Sequence, residues 1–305
     1  MSCSRTRRQR VDSSSLARED PTDGLVTRPI GIEAFYFLDR WSDDQAVVFD
    51  RAAEAGYDGV EVSLVAGGEI DTRRIAAAAA AADVDILCST GLTRDLDISS
   101  SMAEVRAAGI AHLIGCLEAS AELRSPILGG VTYAPWMVFP DDDLDEHRKR
   151  SADSLNKVAI RAASLAVDLC LEVLNRFETP LFNTVADCLN YIDLVDHASV
   201  MVEVDTFHMN IEEDDLAAAV VLAGGRLGHV QVAANNRRPP QYGHIDWPPF
   251  RAALDAVGYQ RWIVFETFPN PAAETGRATF SWRPLAVNLD LEAREAAAFI
   301  KGHLA

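Results

Sequence analysis

Residues 169–205 read LCLEVLNRFETPLFNTVADCLNYIDLVDHASVMVEVD. An apolar run, Leu169–Leu174, gives way to polar residues, then to helical spacing over Val185–Val195, then to a second apolar run, Val200–Asp205. Two such runs joined through one helix make a strand–helix–strand unit with parallel strands. Their largely apolar character suits strands covered on both faces.

The same alternation extends in both directions. Further strands are expected at Ile30–Phe35, Gly59–Leu64, Val84–Ser89, Ile127–Thr132, Leu227–Val232 and Trp262–Glu266. Helical patterns lie between them at Asp43–Ala55, Thr72–Ala82, Met102–Ser120, Leu144–Val167, Asp215–Ala223 and Pro248–Val257, and Leu291–Leu304 follows the last strand. Gly56, Gly109, Gly224 and Gly258 sit where helix ends are expected. Eight units from residue 28 to 305 predict a single (β/α)8 barrel domain. An open doubly wound sheet would place a glycine-rich phosphate turn after its first strand, and here Tyr36-Phe37-Leu38-Asp39 stands there instead.

Composition narrows the function. The 305 residues include 28 Lys and Arg against 46 Asp and Glu, a net charge of −18, and 49% are hydrophobic. So apolar a chain builds a core rather than staying disordered. Its acidity argues against a nucleic-acid partner and against anionic membranes, and no apolar run reaches the roughly 18 residues of a membrane span. Five cysteines without a CxxC pair read as reduced thiols of a cytoplasmic protein. Residues 1–27 hold Arg5, Arg7, Arg8 and Arg10, then polar residues, and read as a disordered tail.

In a barrel of this kind, chemistry gathers at the C-terminal ends of the strands. Strand five ends in Glu172, followed by Glu178. Strand six ends in Asp205, followed by His208. Strand seven carries His229 and Gln231, with Arg237 on its loop, and strand eight ends in Glu266. The earlier strands give mainly Glu61 and Thr132. Glu172, Asp205 and Glu266 outnumber the one cation that Arg237 offers, so a divalent metal held by the three acids is the simplest way to neutralise them. His208 is read as a donor to substrate. His112, His147, His197 and His303 are read as solvated.

These stretches resemble the ketose 3-epimerases, the D-tagatose 3-epimerase and D-allulose (D-psicose) 3-epimerase family of xylose-isomerase-like barrels. The likeness is carried by residues 171–178 (LEVLNRFE), 205–213 (DTFHMNIEE), 235–240 (NNRRPP), 243–247 (GHIDW), 265–268 (FETF) and Trp282-Arg283. It implies an isomerase that inverts C3 of a free ketose through a cis-enediolate. Glu172 and Glu266 would be the acid/base pair. The metal, manganese foremost with magnesium or cobalt as alternatives, would sit on Glu172, Asp205, Glu266 and the strand-seven ligand. Glu178, His208 and Arg237 would hold substrate oxygens, and Tyr36 and Trp136 would line the sugar pocket. Homodimers or homotetramers are the assemblies implied. Two other readings share these residues: a related sugar or polyol isomerase, and a sugar-binding relative that has lost catalysis.

One position departs from the pattern. The family's strand-seven ligand is the second His of a Gly-His-x-His run, and here the run is Gly228-His229-Val230-Gln231. His229 lies two residues earlier on the same face, deeper by roughly 6.6 Å. An amide oxygen is a weaker, harder donor than imidazole, which shifts preference from cobalt toward magnesium, manganese or calcium. Gln231→His is therefore expected to tighten cobalt and manganese binding at unchanged formal charge, read by calorimetric titration of the chelator-stripped protein. Equal affinities in the two proteins would place residue 231 outside the coordination sphere.

Overall fold

The computed structural model describes residues 27–65, 70–140 and 143–305. The tail expected over residues 1–27 therefore lies outside the described residues apart from Thr27, as does Cys3. Eight parallel strands close into a barrel in sequence order. They are β1 (Ile30–Glu33), β2 (Gly59–Ser63), β3 (Asp85–Leu92), β4 (Ile127–Pro135), β5 (Asp168–Glu172), β6 (Val200–Asp205), β7 (Leu227–Val232) and β8 (Ile263–Phe265). Closure comes from β1 against β8, with Ile30 opposite Ile263 and Ile32 opposite Phe265. β4, β6 and β7 are buried along their whole length, as expected of parallel strands covered by helices on the outside.

The outer helices are α1 (Phe49–Ala55), α2 (Thr72–Ala82), α3 (Ala103–Glu122), α4 (Leu144–Leu165), α5 (Val185–Val195), α6 (Thr206–Glu212), α7 (Leu216–Ala223), α8 (Trp247–Ala256), α9 (Glu274–Ala278) and α10 (Leu289–His303). Polar caps start several of them. Asp71, Thr184, Asp215 and Asn288 each accept a backbone N–H of the first turn. None of the described helices is long and apolar enough to cross a membrane.

Three differences from the sequence reading bear on the site. β1 stops at Glu33, because Ala34–Tyr36 turn into a 3-10 helix capped by the Glu33 carboxylate. α6 was not anticipated. It begins directly at the end of β6, where Asp205 accepts the Phe207 N–H at 3.0 Å as helix cap. α9 is a short helix inside the long connection after β8. Away from the site, His147 is buried rather than solvated, its Nδ1 3.2 Å from Ser99 Oγ.

Side chains fill the barrel in tiers, since alternate residues of each strand face inward. At the bottom Leu87, Ile127, Cys170, Met201 and Val264 pack together against Trp262. Next to them stand Glu61 of β2, Glu203 of β6 and His229 of β7, all fully buried, with Glu203 two residues beyond Met201. The strand-end groups form the top tier.

Gly56 and Gly258 take positive φ at helix ends, as expected. Gly109 instead lies inside α3, where a Cβ would come within 2.1 Å of the Leu96 carbonyl oxygen. The glycine lets the helix press directly on backbone that cannot swing aside. Gly109→Ala should lower the unfolding free energy by about 1–3 kcal/mol, measured by urea denaturation, in spite of alanine's better helix propensity. An unchanged midpoint would show that the contact relaxes freely.

Candidate active site

The top tier converges on a cavity of ≈ 480 Å³ whose wall includes Glu33, Glu172, Glu178, His208, Gln231, Arg237 and Glu266. Pairing in the sheet fixes the arrangement. Asp205 and Gln231 stand side by side on β6 and β7, and Glu266 leaves β8 with its N–H on the Val232 carbonyl at 3.3 Å. Glu172 closes β5. All four are buried.

Arg237 holds this set together. Its backbone is left-handed, φ 61°, which costs a non-glycine residue roughly 1–2 kcal/mol. The loop compensates. The Arg237 N–H donates to the Ala234 carbonyl at 2.9 Å, the Arg238 carbonyl accepts the Ala234 N–H at 2.8 Å, and the Thr267 hydroxyl donates to the Arg237 carbonyl. So aimed, the guanidinium lies 4.4 Å over the Phe207 ring. It donates to Asp205 and stands 2.6 Å from Glu266 Oε2. The sequence reading credited Arg237 with offsetting one carboxylate; it bridges two.

α6 carries His208 back over the cap residue. Its Nε2 lies 3.3 Å from Glu172 Oε1 and 3.6 Å from Asp205 Oδ2. Nδ1 faces two donors, the Asn175 backbone N–H at 3.2 Å and the Asn175 side-chain amide at 2.7 Å. The orientation of that amide is set by its other bonds: Oδ1 accepts the Phe177 N–H at 2.9 Å and Nδ2 donates to Glu178 Oε1 at 2.9 Å. Nδ1 is therefore an acceptor, and the ring proton sits on Nε2, facing the carboxylates. Burial lowers the affinity of this ring for a second proton, but Glu172, Asp205 and Glu178 outweigh it and raise its pKa. Glu172, Asp205 and His208 each offer a ligand atom within 4.8 Å of the others. With hydrogen on Nε2, however, the imidazole points a donor at the cavity.

Glu178 is held by donors on both oxygens, the Asn175 amide and the Trp136 indole N–H at 2.8 Å. Burial pushes its carboxyl up, but His208, Arg237 and these two donors bring it below the usual range. Trp136 lies on the cavity wall, as expected. Tyr36 does not. Its ring packs on Phe265 and Phe37 and its hydroxyl donates to the Leu289 carbonyl at 3.0 Å. The turn after β1 sends Tyr36 outward and leaves Glu33 and Trp41 on the wall.

Glu33 is one of the wall residues that sequence reasoning missed. Extending β1 to Phe35 had hidden it inside a strand, although it shares inward parity with Gly31. Its carboxyl is pushed well up by burial and then by the charges of Glu61 and Glu266. The Glu266 carboxyl is also well above the usual range, from burial, against the pull of Arg237. That of Glu172 is raised by burial, with His208 opposing.

The donor set fits a divalent cation. Glu172, Asp205 and Glu266 supply carboxylates, and Gln231 Oε1 is buried without a hydrogen-bond partner, while its Nε2 donates to Glu61 at 3.0 Å. A bare amide carbonyl beside three acids is a hard-oxygen set.

The profile of the xylose isomerase-like TIM barrel family matches residues 49–301. The chain is 32% identical over 265 residues to the D-psicose 3-epimerase of Ruminiclostridium cellulolyticum, covering 85% of this chain and 90% of that one. It is 32% identical to the D-psicose 3-epimerase of Agrobacterium fabrum, over 88% of this chain and 96% of the other. The solved structure of D-psicose 3-epimerase with D-tagatose from Clostridium cellulolyticum H10 superposes with a TM-score of 0.86 at 30% identity, over 90% of this chain and 99% of that one.

Arg237→Met keeps the side-chain bulk and removes the charge, leaving Asp205 and Glu266 uncompensated. Removing one partner of a buried ion pair costs about 3–5 kcal/mol. The chelator-treated variant should show a loss of that order in urea unfolding, and manganese should restore much of it. A loss equal with and without metal would mean that the guanidinium acts by packing rather than by charge.

Proposed function

Because the chain belongs to the xylose isomerase-like TIM barrel family and, within it, to the ketose 3-epimerases, we propose that it inverts C3 of free ketoses of the D-tagatose, D-fructose and D-allulose type. One observation carries this reading above all. Two buried carboxyls, Glu172 at the end of β5 and Glu266 after β8, reach one cavity from different arcs of the barrel, and burial raises the proton affinity of both.

A C–H beside a carbonyl is a weak acid, so its removal needs a base in contact and positive charge near the developing oxyanion. One glutamate takes the C3 proton. The electron pair moves into the C2–C3 bond and on to the C2 oxygen, giving the cis-enediolate. The other glutamate, protonated, delivers its proton to the opposite face of C3, and the C2 carbonyl re-forms. Inversion follows because the two carboxyls serve different faces. Arg237 and the Nε2–H of His208 donate to substrate oxygens around the reacting carbons, and Glu178 accepts from a hydroxyl. Trp136 supports Glu178 from the wall. Glu172, Asp205, Gln231 and Glu266 would hold the divalent cation, manganese first and magnesium or cobalt after it, which supplies Lewis-acid stabilisation of the charge on adjacent oxygens.

Net charge of −18 supports a small neutral partner over nucleic acid or an anionic membrane. Cys88, Cys116, Cys170 and Cys188 are free and buried, which fits a reducing cytoplasm. The assembly we infer is a homodimer or homotetramer, as in the family resemblance.

Glu172→Gln and Glu266→Gln are each expected to lower epimerisation by at least 10²–10⁴-fold, with the far-UV circular dichroism unchanged, when assayed by chromatography over a panel of free ketoses. More than about a tenth of wild-type turnover in either variant would overturn the pairing.

A further inference from the structure

Beneath the active site, Glu61, Glu203 and His229 each offer a ligand atom, and these atoms lie within 4.8 Å of one another. All three side chains are fully buried. The proposed epimerisation uses none of them.

This middle tier is built around the Glu203 carboxylate. A Cβ on Gly129 would stand 2.4 Å from Glu203 Oε2, so only glycine leaves room for that oxygen. The next residue, Gly130, donates its N–H to the same oxygen at 2.8 Å. Across the barrel, His229 Nε2 faces Glu61 Oε2 at 2.7 Å, and Glu61 Oε1 accepts the Gln231 amide at 3.0 Å. Yet Glu203 Oε1 and His229 Nδ1 have no hydrogen-bond partner, although both are sealed from solvent. A buried carboxylate oxygen left without a donor is strongly disfavoured. Arg237, the cation of the tier above, is engaged by Asp205 and Glu266.

We propose that the middle tier is a second cation site, in which Glu61, Glu203 and His229 bind a divalent transition-metal ion, with zinc and manganese the best-suited class. Two carboxylates and an imidazole form a mixed oxygen–nitrogen set, which favours such ions over magnesium or calcium. The cavity adjoins the tier, since its wall includes Ser63, Ser89, Gln231 and Gly130, the last being the residue that holds Glu203. Gln231 separates the two sites. Its amide N–H bonds the middle tier, and its carbonyl oxygen is left for the upper one. The site does not depend on the epimerase reading.

Metal content decides the matter. The full chain is stripped with chelator, reconstituted with zinc or with manganese, desalted and analysed by plasma mass spectrometry. Wild-type protein should retain two ions per chain and Glu203→Gln, which is isosteric, one. Asp205→Asn, which touches only the upper site, should also fall to one. Anomalous diffraction at the zinc edge on wild-type crystals should show a peak among Glu61, Glu203 and His229, and this holds whether or not Glu203→Gln folds. Wild-type crystals without an ion among Glu61, Glu203 and His229, or folded Glu203→Gln with the same metal content as wild type, would each overturn the proposal.

Discussion

Glu33, Glu61, Glu172, Glu203, Asp205 and Glu266 all turn into the interior of one eight-stranded barrel. A water-poor interior does not hold that many negative charges unless each is neutralised or compensated. The upper half of the molecule is organised by how this is met. Arg237 spans Asp205 and Glu266, His208 leans on Glu172, and His229 faces Glu61. Burial and mutual repulsion push the carboxyls of Glu33, Glu203 and Glu266 toward their neutral forms. What remains is an appetite for protons and cations at the centre of the barrel.

Much of this was legible in the sequence, for a physical reason. Strands buried on both faces read as apolar runs, so a polar residue ending such a run stands out. Asp205 and Glu266 were found this way, and β6 and β7 begin and end where the runs do. Less legible was anything that depends on the path of a loop. Arg237 was recognised, but its reach to two carboxylates follows from a left-handed turn that no spacing rule announces. Tyr36 was placed on the pocket wall by the family resemblance, and the 3-10 turn after Glu33 sends it outward instead. Glu203 lay in view within Val200–Asp205, two residues before Asp205 and so on the same face. Its significance depends on Gly129 and Gly130 of β4, which are distant in sequence.

Gln231 links two levels of this charge network through one side chain. Its amide carries a donor and an acceptor and no charge. The donor answers Glu61 and, more weakly at 3.4 Å, Glu266. Part of the negative charge around the site is thus met by a neutral dipole, and the amide ties the middle tier to the upper one.

Glu178 joins segments that follow different strands. Its side chain takes the Trp136 indole, its carbonyl accepts the Met137 N–H at 3.1 Å, and the Trp136 N–H reaches back to the Leu92 carbonyl at 3.1 Å. Residues at the ends of β3 and β4 and the turn after β5 thereby form one stapled rim. Diversifying any single loop of this rim would loosen the other two, so libraries aimed at new sugar preference should vary these loops jointly, or keep residues 92, 136, 137 and 178 constant and place their diversity around Trp41 and Phe268 on the opposite wall.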